Sequence, residues 1–121
     1  NKAGIEQSKK IGKIFKDNKI SIDIVLSSEW CRCKDTAYYA FGKFKAFSAL
    51  NSTFSTPYNE NEPRQVKEIE EYLMNWKSGG KNLILITHYS IITTITNAAP
   101  SSGEIVIADK NLNVIGTIKT N

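Results

Sequence analysis

The 121-residue sequence is 40% hydrophobic and 23% charged, and its formal net charge is +4. That composition is ordinary for a globular domain, and the length suits one domain with a substantial core. No stretch approaches the roughly 20 apolar residues of a transmembrane helix, and no secretory signal peptide is recognisable. We therefore expect no membrane partner.

Lysine supplies nearly all of the positive charge. The densest group lies on the first predicted helix and consists of Lys9, Lys10, Lys13 and Lys16. No aromatic interleaving accompanies these lysines, which is more typical of a solvated helix face than of a nucleic-acid-binding surface. We expect no nucleic-acid partner, although a basic adaptor that uses this helix is the last of three functional hypotheses.

Arginine and cysteine are each used twice. Nearly all other positive charges are lysines. The two arginines, Arg32 and Arg64, are therefore candidates for a role that needs the planar, bidentate guanidinium. Cys31 and Cys33 would point about 200° apart on a helix, so a disulfide between them is geometrically poor. With two cysteines and one histidine, a zinc site is not expected, and we predict no cofactor.

Apolar periodicity and capping residues predict alternating helices and strands in a single domain, 1–121. The first half is predicted to contain a helix over 2–18 capped by Asn1, a strand over 22–27, a helix over about 30–41 ending at Gly42, and a strand over 45–50. The strands over 22–27 and 45–50 would form a parallel β-α-β unit.

The second half is predicted to contain a loop over 51–62, a helix over 64–77 after Pro63, a strand over 83–88, a helix over 89–97, and a hairpin of strands 104–108 and 114–119. A core-facing stripe marks the helix over 64–77 and consists of Val66, Ile69, Leu73 and Trp76. The predicted fold class is α/β, with a mostly parallel sheet flanked by helices and the C-terminal hairpin as its antiparallel edge.

The strand over 83–88 ends in the only histidine of the sequence, His88. Its four consecutive aliphatic residues predict a strand buried on both faces. The carboxyl ends of such strands are where open α/β sheets bind ligands, and a helix start nearby offers N–H groups to an anion. The alternative is that His88 caps or packs against the following helix.

A second polar junction, over 27–32, leads from a strand into a helix and carries Arg32. A cation in the first turn opposes the helix dipole, so Arg32 is a poor choice for the helix but strengthens an anion site. The alternative is a surface arginine that pairs with Glu29 or Asp35.

Parallel strands would deliver both junctions to the same sheet edge. Arg32 and His88, with the nearby hydroxyls of Ser27, Ser28 and Thr87, would then suit the oxygens of a phosphoryl group. The sequence shows no nucleophile for such a group. Ser28 as an elbow serine lacks flanking glycines, and Cys31 as a thiolate lacks the usual phosphatase loop, so both are weaker hypotheses.

The segment over 27–37 resembles the Ser-Ser-x-x-x-Arg-x-x-x-Thr-Ala signature of the histidine phosphatase (phosphoglycerate mutase-like) superfamily. Thr87-His88 is similar to its second motif, and Gly103-Glu104 is similar to the Gly-Glu start of a late strand. Leu50-Asn51-Ser52 and the order of the elements also fit, so the resemblance covers nearly the whole chain.

The resemblance implies a phosphohistidine mechanism and a phosphoglycerate mutase-like fold. Arg32 matches the second phosphate-binding arginine, and His88 matches the second histidine. The expected site is therefore Arg32 and His88 as catalytic residues, with phosphate bound by both and by Ser28. Tyr89 stands where the family often has glycine, which would narrow the pocket or alter the substrate.

The family's nucleophilic histidine belongs to an Arg-His-Gly motif on a first strand inside the sheet, and no such strand precedes the first helix here. The resemblance thus implies an N-terminally truncated domain, inactive alone, whose partner is the missing N-terminal segment of the same protein. The expected ligand is a phosphorylated small molecule or phosphoprotein. A noncatalytic module that binds such a ligand without turnover is the second functional hypothesis.

The substrate and the general acid stay open. The loop over 51–62 is the expected specificity element, and Glu29, Asp35 and Glu104 are all candidates for the acid. The relatives that the motifs resemble are bacterial proteins that often carry export signals, which favours an exported location.

Overall fold

The computed structural model describes residues 1–120 and shows an α/β fold. A three-stranded parallel sheet is flanked by helices, and a C-terminal antiparallel hairpin forms a separate sheet. The helices are α1 (Lys2–Asp17), α2 (Cys31–Phe41), α3 (Glu62–Asn75) and α4 (Tyr89–Thr96), and the strands are β1 (Ile22–Ser27), β2 (Lys45–Ala46), β3 (Asn82–Ile86), β4 (Ile105–Ala108) and β5 (Val114–Ile118). Within residues 1–120, no helix is both long and apolar enough to cross a membrane.

The first two helices confirm the sequence prediction closely. Asn1 caps α1 by accepting a hydrogen bond from the Gly4 N–H at 2.7 Å. α1 crosses α2 so tightly at Gly12 that an added Cβ would lie 2.1 Å from the Ala40 carbonyl oxygen. α2 ends at Gly42, whose φ of 73° is in the left-handed region that favours glycine.

The sheet has the order β2-β1-β3, with β1 in the centre and parallel to both neighbours. Its core side packs against α3, α4 and the chain that follows β2. The fully buried residues of this cluster are Leu26, Ala49, Leu50, Ile69 and Ile91.

The predicted strand over 45–50 is wrong beyond its second residue. Only Lys45–Ala46 pairs with β1, and Ser48–Leu50 forms a 3₁₀ turn. A strand would send successive side chains to opposite faces, whereas the turn buries both Ala49 and Leu50 on the core side.

α3 begins and ends two residues earlier than predicted. Pro63 lies in its first turn, as expected. At the other end, Trp76 adopts an extended conformation and its indole N–H donates to the Asp23 carboxylate at 2.9 Å. This contact with the start of β1 draws the chain out of the helix before Lys77.

The hairpin forms as predicted, but its place in the fold differs from the prediction. β4 and β5 pair with each other in antiparallel fashion and do not join the parallel sheet. Asp109 fixes their turn by accepting from the N–H groups of Asn111 and Asn113 at 2.9 and 3.0 Å. The predicted antiparallel edge of one continuous sheet is therefore wrong.

The separation leaves a cleft of about 940 Å³ that is lined by residues of both β3 and β4. β3 pairs with β1 on one side only, and its four aliphatic residues are half-buried. The prediction of a strand buried on both faces is thus wrong, because its aliphatic residues line the open cleft. Apolar side chains of α1, β3, α4 and β4 are among those that line the cleft, including Ile5, Leu83, Leu85, Ile92, Ile105 and Val106.

Candidate anion-binding site

The two polar junctions lie side by side because β1 and β3 are parallel and in register. Ser27 is paired with Ile86, and the next N–H along, that of Ser28, donates to the Ile86 carbonyl at 2.9 Å. The residues that follow each strand therefore meet at one edge of the sheet, as predicted. There the Ser28 hydroxyl oxygen lies 2.8 Å from Nε2 of His88.

The three predicted hydroxyls have different surroundings. Ser27 donates to the Ser28 carbonyl at 2.8 Å, and Thr87 donates to the Leu50 carbonyl at 2.6 Å. Both are thereby used in holding the backbone. Ser28 is fully buried and contacts His88, so its direct effect is on the position of the imidazole.

His88 is held on one of its two ring nitrogens. Besides Ser28 Oγ, the thiol sulfur of Cys33 lies 3.6 Å from Nε2, and the Trp30 ring packs edge-on with its centroid 4.8 Å away. Among residues 1–120, no group pairs with Nδ1. The His88 side chain does not cap α4, although the residue occupies the N-cap position, so the capping alternative does not describe it.

Ser28 is itself fixed by the loop after β2. Its oxygen accepts the Trp30 N–H at 3.1 Å and lies 3.2 Å from Oδ1 of Asn51. Asn51 is anchored to Glu29, whose N–H donates to Oδ1 at 2.8 Å and whose carboxylate accepts from Nδ2 at 2.9 Å. Ser28 has one proton, which it can donate either to Asn51 or to His88.

Burial lowers the pKa of His88 below its ordinary value, and the positive charge of Arg32 lowers it further. The imidazole is therefore neutral near pH 7. Burial raises the pKa of the neighbouring Cys33 thiol, an effect only partly offset by Ser28 and Arg32. Cys33 thus stays protonated, and it fills space against His88 as a small, weakly polar side chain.

Arg32 lies in the first turn of α2 and is exposed. Its guanidinium carbon lies 5.8 Å from the centroid of the Trp30 ring. Within the described residues it has no carboxylate partner, whereas Arg64 pairs with Glu68 at 2.8 Å. The alternative in which Arg32 pairs with Glu29 or Asp35 is not what the structure shows.

Arg32 and His88 both line the cleft between β3 and β4. They are close enough that the charge of Arg32 acts on the His88 imidazole. One unpaired cation and one half-paired neutral imidazole thus share a concave, partly enclosed space. Such a pair is suited to holding a phosphate or sulfate.

The structure does not strengthen the case for either alternative nucleophile, Ser28 or Cys31. Ser28 and His88 have the spacing of a nucleophile and its base, but Ser28 Oγ is closed off from substrate and no carboxylate orients Nδ1 in the described part of the chain. Cys31 is an exposed, free thiol at the first residue of α2. No described side chain forms a hydrogen bond with its sulfur.

Two of the three candidate acids are poorly placed to donate a proton. Glu29 holds Asn51. Hydrogen bonds from Ser101 lower the pKa of Glu104, which leaves that carboxyl deprotonated and poorly suited to donate a proton. Asp35 lines the cleft beside Arg32.

Sequence reasoning missed the parts played by Trp30, Cys33 and Asn51. Trp30 and Cys33 flank Arg32 within two residues, but only the fold brings them to His88. Asn51 acts on Ser28 across 23 residues, for which a single sequence carries no signal.

No group of three or more His, Cys, Asp or Glu side chains suited to a metal occurs within residues 1–120. Comparison with known proteins gave no match to any family model, curated protein or solved structure.

Proposed function

We propose that this chain is the main part of a phosphoryl hydrolase of the phosphohistidine type, with the histidine phosphatase superfamily as its family and a phosphoglycerate mutase-like fold. The observation that carries the proposal is that the Arg32 guanidinium, which pairs with no carboxylate among residues 1–120, and the His88 imidazole line one cleft at the carboxyl ends of parallel strands. The substrate is a phosphorylated small molecule or phosphoprotein.

The protonation of His88 follows from its neighbours. When Ser28 donates its proton to Nε2, the proton of the neutral imidazole lies on Nδ1, which no described residue occupies. Nδ1 can then donate to a phosphoryl oxygen. The other tautomer would present a lone pair to the anion, so a bound phosphoryl group selects the first.

Arg32 supplies the charge. Its fork can hold two phosphoryl oxygens at once, and this stabilisation grows as negative charge develops on those oxygens during transfer. Ser28 and Asn51 keep His88 in place while this happens and are positioning residues. The catalytic residues are Arg32 and His88.

The nucleophile is proposed to be the histidine of an Arg-His-Gly motif on a segment preceding Asn1. This segment would lie as an extended strand in the cleft and pair with the free backbone edges of β3 and β4. α1 ends where β1 begins, so its first residues lie toward the carboxyl end of the sheet, and Asn1 and Gly4 line the cleft. A strand parallel to β3 would run directly into α1, as β1 runs into α2.

Anion binding tests the proposal most directly. Phosphate or sulfate added to the 121-residue protein should shift the NMR signals of the single imidazole. Arg32→Ala should abolish this binding, and Arg32→Lys should weaken it because the bidentate geometry is lost. Arg64→Ala removes an arginine of an exposed ion pair and is the matched control. Unchanged binding in Arg32→Ala would refute the assignment.

Catalysis is tested separately. The 121 residues alone should release no phosphate from 4-nitrophenyl phosphate. Addition of a strand peptide that ends in Arg-His-Gly should restore release, and the same peptide with alanine in place of its histidine should not. Robust turnover by the chain alone would refute an upstream nucleophile.

A noncatalytic module that binds a phosphorylated ligand is the second candidate, and the single histidine in the sequence favours it. It predicts Arg32-dependent phosphate binding with no release under any peptide addition. A basic adaptor acting through the lysines of α1 would instead show binding to polyanions that weakens steeply with salt and ignores Arg32.

A further inference from the structure

Two exposed aromatic rings stand beside the candidate site and are not themselves among the residues that line the cleft. Trp30, the N-cap of α2, is 36% exposed, and Tyr58, in the 3₁₀ turn Tyr58–Asn61, is 48% exposed. Their rings meet edge to face with centroids 6.1 Å apart. We call this pair the aromatic wall.

The aromatic wall is next to both anion-binding groups. The Trp30 ring lies 4.8 Å from the His88 ring, and the Arg32 guanidinium carbon lies 5.8 Å from the Trp30 centroid. A group bonded to a phosphoryl held by Arg32 and His88 therefore lies within reach of the Trp30 ring, which adjoins both side chains. The position of the wall suits contact with the group that leaves, since the phosphoryl oxygens themselves face the two polar side chains.

We infer that the aromatic wall selects substrates in which a planar aromatic ring is bonded directly to the phosphoryl ester oxygen, that is, aryl phosphate monoesters. This inference rests on the proposed function and names its substrate class. A ring bonded directly to the ester oxygen is held close enough to contact the Trp30 ring, either by stacking on it or by meeting it edge-on. In a nucleotide, a ribose would hold the base several bonds farther away.

The candidates for the general acid are consistent with an aryl leaving group. Of the three acid candidates, Glu29 is hydrogen-bonded to Asn51 and Glu104 is held deprotonated by Ser101. Asp35, which lines the cleft, is the one that remains. A phenol has a pKa of about 10, far below that of an alkyl alcohol, so a phenolate leaves without full protonation by an acid. As the nucleophilic imidazole of the proposed upstream segment forms the P–N bond, the P–O bond to the ring breaks. Its electron pair leaves on the phenolate oxygen, which then takes a proton from water.

Binding to the full 121-residue chain tests the inference without requiring turnover. The probes are phenyl phosphate, methyl phosphate, adenosine monophosphate and inorganic phosphate, titrated by NMR on the His88 imidazole. Phenyl phosphate should bind about tenfold more tightly than methyl phosphate, which is the size expected of one good aromatic contact. Trp30→Ala and Tyr58→Ala should each reduce this ratio, Trp30→Ala to near one.

Inorganic phosphate is the internal reference, because it has no leaving group to contact the wall. Its affinity should stay within about threefold in Tyr58→Ala, and Trp30→Phe should keep most of the phenyl preference while preserving the packing on His88. Tyr38→Ala removes a 60% exposed aromatic ring of α2 whose ring contact is with Tyr39 and should change nothing. Tyr58→Ala keeps the test decisive if Trp30→Ala does not fold.

The outcomes separate the two proposals. Equal binding of phenyl and methyl phosphate, with Arg32-dependent binding of inorganic phosphate intact, would overturn the aromatic wall and leave the proposed function standing. Tighter binding of adenosine monophosphate than of phenyl phosphate would overturn the aryl class. Absence of any phosphate binding would overturn both.

Discussion

Replacing Ser28 by alanine tests the contact on which the geometry of His88 depends. The Ser28 hydroxyl is fully buried, lies 2.8 Å from Nε2 of His88, and accepts the Trp30 N–H at 3.1 Å. Without it, two polar groups lose their partner, while Asn51 keeps the Glu29 N–H. A buried group left unsatisfied costs about 1–3 kcal/mol, and the Trp30 N–H is only partly buried, so Ser28→Ala should lower the free energy of unfolding by about 2–4 kcal/mol.

The Cys33 thiol does not rescue the imidazole. It lies 3.6 Å from Nε2, and a thiol is a weak donor. The predicted loss is a large part of the 5–15 kcal/mol typical of a small domain. Urea denaturation followed by circular dichroism would measure it directly.

Ser55→Ala is the matched control, because Ser55 is exposed and makes no side-chain hydrogen bond in the described structure. Its effect should stay within about 0.5 kcal/mol. A loss below about 1 kcal/mol in Ser28→Ala, with the slope of the denaturation curve unchanged, would refute the reasoning. The hydroxyl would then not be holding the imidazole.

The remaining predictions concern His88 and the crossing of α1 with α2. The single imidazole should titrate below its ordinary pKa of 6.5 by NMR, and Arg32→Gln should raise that pKa toward the ordinary value. Because the unfolded chain takes up this proton at higher pH than the folded one, the free energy of unfolding should fall as pH drops from 6.5 to the folded pKa. Gly12→Ala should cost about 1–3 kcal/mol in urea, since its Cβ would meet the Ala40 carbonyl, whereas Gly116→Ala, with open space, should be near neutral. An unshifted imidazole, or equal effects of the two glycine variants, would contradict these expectations.

Elements with local signals were predicted well. α1, β1 and α2 carry their own apolar spacing and end residues, including the Asn1 cap and the left-handed Gly42, so each could be bounded to within one residue. The convergence of the two polar junctions at one end of the sheet also followed from sequence, although the Ser28–His88 contact itself was not predicted. Adjacent parallel strands in register bring their carboxyl ends together whatever the connecting helices contain.

Elements that depend on neighbours far along the chain were not predicted. β2 stops after two residues because Ala49 and Leu50 are both drawn into the core, a packing outcome that the segment does not encode by itself. The hairpin signature fixes the pairing of β4 with β5 but contains nothing about which sheet the pair joins. Asn51 likewise acts through a loop whose path only the fold decides.

β3 shows where an incorrect prediction is itself informative. Its run of four aliphatic residues is typical of a strand covered on both sides, yet the structure leaves those residues half-buried beside an apolar cleft. An exposed apolar strand edge invites pairing with another chain, and edge strands of stable proteins are usually protected against this. β3 contains no charged residue and no proline, and His88 comes two residues after its end. Under the proposed function, a strand that pairs with β3 would cover this edge and bring its own carboxyl end to Arg32 and His88.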